Sequence, residues 1–83
     1  MNELVCVELT VEKKTYSNAG IHKGMQGWVC DSRCIDESWL ICFPRYGNKP
    51  DIATIGIKEK DLRVIPAMTA TRNEEIEESY NKK

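Results

Sequence analysis

The sequence is poor in what most chemistry needs. Its 83 residues hold a single histidine, a single phenylalanine and three prolines. No apolar run approaches the roughly 20 residues of a membrane span, so no membrane partner is expected. Lys and Arg are not in surplus, with 12 of them against 13 Asp and Glu. General phosphate-backbone binding needs such a surplus to release counterions. Glycine is present without a phosphate cradle. "GIHKGMQG" has neither the spacing nor the Lys-Ser/Thr ending of a P-loop. The start, "MNELVCVELTVEKK", lacks the basic opening, apolar run and small-residue cleavage site of a secretory signal. A cytoplasmic location with reduced thiols is the expectation.

Size narrows the field further. Eighty-three residues make one domain at most, and such a chain buries about 60% of its unfolded surface. Little room is left for a substrate pocket of a few hundred Å³. Catalysis would need a nucleophile, a base and a stabilising donor together. Only His22 beside Lys23, and Cys34 beside Arg33, come near those roles, and nothing in the sequence links them. Neither an enzyme nor a cofactor is expected.

What the chain does have is alternation. In "ELVCVELTV" (residues 3–11), Val5, Val7, Leu9 and Val11 share one face, and Leu4, Cys6, Glu8 and Thr10 share the other. That pattern predicts a strand with one buried face. A long polar loop follows through Ser17, Asn18 and Gly20. Gly24 and Gly27 bracket the entry to a second strand, Gln26 to Asp31. "DSRCIDES" reads as a polar connector, "WLICF" (Trp39 to Phe43) as the third strand and "DIATIGI" as the fourth. "PRYGNKP" reverses the chain between these two. "KEKDL" reads as one helical turn and "LRVI" as a closing strand. Val5, Val7, Val29, Ile41, Phe43 and Leu62 take the inward phase and are expected in the core. From residue 67 the composition changes. Thr71 and Glu74 have capping-box spacing, and Ile76 and Tyr80 lie four apart, so residues 67–83 are expected as a tail or a short helix.

This order of strand, long loop, "HKGMQGWV", connector, "SWLICF", strand and "KEKDLRVI" resembles SH3-like barrels, including those built around a KOW-type glycine turn. In the long loop, Gly20 to Gly27, and in Trp39 to Phe43, it resembles small uncharacterised bacterial SH3-like proteins. The resemblance covers residues 3–66 and implies an all-β domain: a five-stranded SH3-like barrel over residues 1–66, with a helical turn before the last strand. It implies the fold more than an activity, since this barrel hosts many functions.

Three of the four cysteines fall in "GWVCDSRCIDESWLICF". Cys30 and Cys34 have the spacing of a zinc knuckle, but no second knuckle exists, and Cys6 and Cys42 stand alone in strands. Cysteines filling a sheet face as small hydrophobes are the preferred reading over zinc or a disulfide, so no metal is expected. The same parity places Trp28, Cys30, Leu40 and Cys42 together with Cys6 on the outer sheet face, an apolar patch that calls for a cover. Tryptophan is common at interface hot spots. A protein contact there, or self-association, is the expected function, with an accessory or inhibitor protein as the role in view. The cover could equally be the chain's own tail through Ile76 and Tyr80. Tyr16 and Arg33, with Trp39 nearby, are a second contact candidate resembling an aromatic groove for proline-rich ligands, although parity also assigns Trp39 to the core. RNA or ribosome contact through Lys13, Lys14, Lys23 and Arg33 is the alternative.

Overall fold

Alternation in period two builds five strands: β1 (Cys6–Leu9), β2 (Gln26–Val29), β3 (Ser38–Phe43), β4 (Ala53–Lys58) and β5 (Leu62–Val64). The structure is a computed structural model and describes residues 2–81; Met1 of the expected barrel and Lys82 and Lys83 of the expected tail lie outside the described residues. The strands form one antiparallel sheet in the order β4-β3-β2-β1-β5. β4 and β5 are its two edges and do not pair, so the sheet curls into a half-barrel that is not closed. A 3-10 turn (Glu59–Asp61) carries the chain from one edge to the other.

The inward phase is the expected one. Val7, Leu9, Val29, Ile41, Phe43 and Ile57 are fully buried, and Val5 and Leu62 pack against them while partly exposed. Trp39 joins the same core, its ring buried and its indole N–H donating to Glu59 Oε1 at 2.8 Å. Gly27 lies where β2 and β3 come closest: a Cβ there would sit 2.2 Å from the Cys42 carbonyl oxygen. No side chain fits. The first strand is shorter than the alternation suggests, because Leu4 adopts a left-handed φ of 67° and turns the chain before β1.

The loop after β1 is not a plain solvated loop. It contains a short helix, α1 (Lys14–Ser17), and sends Tyr16, Ile21 and Met25 into the concave side of the sheet. Apolar side chains from this loop fill the space that a closed barrel would fill from its own walls. Asp61 fastens it. This carboxylate is 4% exposed and accepts from Lys13 Nζ and from the Tyr16 hydroxyl, both at 2.7 Å. Its backbone oxygen accepts from the Thr10 amide and hydroxyl, both at 2.9 Å.

Residues 70–81 form a helix, α2 (Ala70–Asn81), so the C-terminal element is a helix. It starts one residue before Thr71, and Glu74 pairs with Lys49 in place of the expected capping box. Ile76 packs against the core, Arg45 binds Glu77, and the Tyr80 ring stacks on His22 at 3.6 Å. Asn73 is fully buried. Its Nδ2 donates to the carbonyls of Gln26 (2.7 Å) and Pro44 (2.9 Å), and its Oδ1 accepts from the Gln26 amide at 2.7 Å.

Asp61 makes the loop's attachment sensitive to acid. Burial alone would raise its carboxyl, but the hydrogen bonds from Lys13 and Tyr16 outweigh that and hold it below its ordinary value. A depressed folded pKa gives stability that is present above the unfolded value, ~3.9, and lost as pH falls through the folded one. Asp61→Asn should therefore lower the urea midpoint at neutral pH. The gap from the native chain should narrow as the medium is acidified below about pH 4. A gap of the same size in neutral and acid solution would contradict this role.

Candidate interaction surface

The convex face of the sheet is set by register. Cys6 pairs with Trp28, Trp28 with Cys42, and Cys42 with Thr54, so these four residues form one row across β1 to β4. The next row holds Cys30, whose amide donates to the Leu40 carbonyl, then Leu40 and its partner Gly56. The expected grouping of Trp28, Cys30, Leu40 and Cys42 is thus present as a set of neighbours. Their accessibility differs. Trp28 and Cys30 are half-buried and Leu40 is 39% exposed, but Cys42 is sealed at 5%. Its thiol donates to Asp51 Oδ2 at 3.0 Å, and burial together with that carboxylate pushes its pKa up to about 12. Burial likewise raises Cys30. All four cysteines are free, and among the described residues no three metal-ligating side chains converge.

The tail does not cover this face through Ile76 and Tyr80, which pack on the core and on His22 instead. Tyr16 is not at the surface either. Its ring is buried on the concave side and its hydroxyl is held by Asp61, so Tyr16 and Arg33 do not frame a groove. Trp39 and Tyr16 both have their polar tips occupied within the chain, by Glu59 and Asp61.

The connector supplies what the sequence reading left out. Ile35 and Ser38 exchange backbone hydrogen bonds at 3.0 and 2.9 Å across a two-residue turn. Asp36 and Glu37 within it both adopt left-handed φ, 52° and 63°. This is the geometry of a type I′ turn, which Asp36 suits at the first position but which normally has Gly where Glu37 stands. Glu37 is held there by its surroundings: Lys58 Nζ donates to the Asp36 carbonyl (2.7 Å) and the Glu59 amide to that of Glu37 (2.8 Å). Strain of this kind concentrates at functional positions. Here it projects Ile35, 63% exposed, beside Leu40. Arg33 folds back onto Asp31, its guanidinium holding that carboxyl down to about 2. Ile35, Leu40 and Gly56, with Arg33, Asp36 and Lys58 around them, line an open groove of about 540 Å³. The signal for Ile35 was one aliphatic residue in an otherwise polar connector.

The groups weighed for catalysis and for nucleic acid lie apart. His22 is bound to Glu12 at 2.7 Å and stacked on Tyr80, whereas Cys34 borders a cleft with Glu37, Glu59 and Lys60. Of the basic candidates, Lys13 is paired with Asp61 and Arg33 with Asp31. Comparison with protein-family models, with curated proteins and with solved structures returned no match.

Thiol chemistry checks the placement of the cysteines. In the native chain a thiol-alkylating reagent near neutral pH should modify exposed Cys34 first. Cys42, buried and protonated, should react only as fast as the domain opens. Prompt modification of Cys42, located by peptide mapping, would contradict the sealed geometry.

Proposed function

We propose that the chain is a non-enzymatic protein-interaction module built on an SH3-like half-barrel, and that its contact surface is the convex groove at Ile35, Leu40 and Gly56. One observation carries the reading. Two aliphatic side chains stand exposed side by side over an open groove, one of them held there by a strained turn. Contiguous exposed apolar surface with a polar rim is the usual mark of a contact site. Trp28 and Cys30, in adjacent rows of the same face, extend the patch, and Arg33, Asp36 and Lys58 form its charged rim. The two signs of charge on that rim suit a mixed protein surface better than a nucleic-acid backbone.

Leu40→Glu and Ile35→Glu test it. Both sites are exposed, so each variant should fold with stability within about 0.5 kcal/mol of the native chain. Each should lose the protein partner that the native chain retains on affinity capture from its own cell extract, with nuclease added. Partner retention unchanged in both variants would remove the groove from the account. Retention that disappears with nuclease in the native chain would point to RNA instead.

A further inference from the structure

The two edges of the sheet are not alike. β5 is three residues long, and short edges are one of the ways proteins discourage strand addition. β4 has six residues, "ATIGIK", with no proline and one charge, Lys58, at its end. It carries none of the usual protections along its middle.

The direction of its backbone groups follows from its neighbours. The Cys30 amide donates to the Leu40 carbonyl, so Leu40 and Cys42 turn their polar groups to β2, and Trp39, Ile41 and Phe43 turn theirs to β4. Ile55 and Ile57 therefore bond to β3, and Thr54, Gly56 and Lys58 face the open side. The Lys58 amide is satisfied there by the Tyr16 hydroxyl at 3.2 Å. Thr54 and Gly56 have no backbone hydrogen bond on that side among the described residues. Gly56 is exposed, and a glycine is all backbone, so its polar groups meet solvent. The fold does not itself require glycine here: φ is ordinary and a Cβ would touch only the Ser38 Cβ, at 3.8 Å. Glycine inside a strand weakens it and often marks where another backbone approaches.

Thr54 and Gly56 are equally spaced about Ile55, so the open edge is self-complementary. We propose that the chain forms a two-fold dimer in which β4 pairs antiparallel with β4 of a second copy about Ile55. Thr54 of each copy exchanges both backbone hydrogen bonds with Gly56 of the other. This is an isologous contact, as closed two-fold symmetry demands. Pairing stops at Thr54 and Gly56, because the Ile52 amide bonds to Phe43 and the Lys58 amide to Tyr16. The antiparallel arrangement still brings the Lys58 end of each strand toward the Asp51 end of the other, so opposite charges approach at both ends. Ile55, partly buried in one chain, meets its own copy at the centre of the pair. The contact uses the backbone edge and does not depend on the groove reading.

Sedimentation equilibrium of the full chain over a wide concentration range tests this, together with amide hydrogen exchange at its two ends. The expected mass at high concentration is twice that of the chain. On going from dilute to concentrated solution the Thr54 and Gly56 amides should gain protection, while the Ile55 amide, already bonded to β3, should not change. Thr54→Pro removes a backbone amide that no backbone contact inside the chain uses, on an edge strand where proline is tolerated. Beyond that it removes only the side-chain contact with Cys42, so it should stay folded and sediment as a monomer. A native chain that is monomeric at every concentration overturns the proposal and leaves the edge open to a strand of another protein. So does a dimer in which Thr54 and Gly56 stay unprotected. A folded Thr54→Pro variant that still dimerises overturns it too.

Discussion

The carboxamide of Asn73 occupies a gap that the sheet cannot fill for itself. Gln26 turns its amide and carbonyl toward β3, where the next residue in register is Pro44, and proline has no N–H to give. Without Asn73 the half-buried Gln26 carbonyl would have no donor from β3. Asn73 inserts between them, accepting from Gln26 and donating to both carbonyls. It acts as one more rung of the ladder, supplied from a helix. An unsatisfied buried backbone group costs about 1–3 kcal/mol; of the three bonds made here the one to Pro44 is buried and the two to Gln26 are part-buried. Even one such group matters against the roughly 5–15 kcal/mol that holds a domain together.

Other features of the molecule follow from where this rung pulls α2. With Asn73 fixed at the β2–β3 gap, Ile76 reaches the core and Tyr80 reaches His22. The helix thus closes one end of the half-barrel rather than lying across the convex face. Trp28, Cys30 and Leu40 remain accessible as a result, and the groove beside the Asp36–Glu37 turn stays open. At the other end of the concave side, Tyr16 and Asp61 anchor the long loop. Loop and helix together supply what a complete barrel would gain from pairing its edges, and β4 keeps a free edge.

Alternation made the sheet legible. The inward phase of Val7, Val29, Ile41 and Phe43 and the outward grouping of Trp28, Cys30 and Leu40 both follow from period two, since a slip of one residue would have inverted every face. Tyr16 was not legible as core, because polar neighbours and turn-forming residues surround it and nothing periodic signals a loop that folds inward. Asn73 was hidden for a similar reason: asparagine is ordinarily exposed or a helix cap, and its burial depends on a proline 29 positions away. In the Asp36–Glu37 turn, Glu37 stands where the glycine of an Asp-Gly signal would announce it. Ile35 and Gly56 therefore became visible as site residues only through register and exposure. Short-range pattern carries strand phase well. It does not carry contacts closed by a single side chain across the chain.

The direct test of this account is the exchange rate of the Gln26 backbone amide in the native chain, set against the same amide in an Asn73→Ala variant. If Asn73 completes the ladder, the Gln26 amide should exchange in the native chain as slowly as those of Trp28 and Ile41, and the variant should lose that protection by a large factor. A Gln26 amide that exchanges in the native chain as fast as an exposed loop residue would contradict the claim that α2 holds β2 and β3 together.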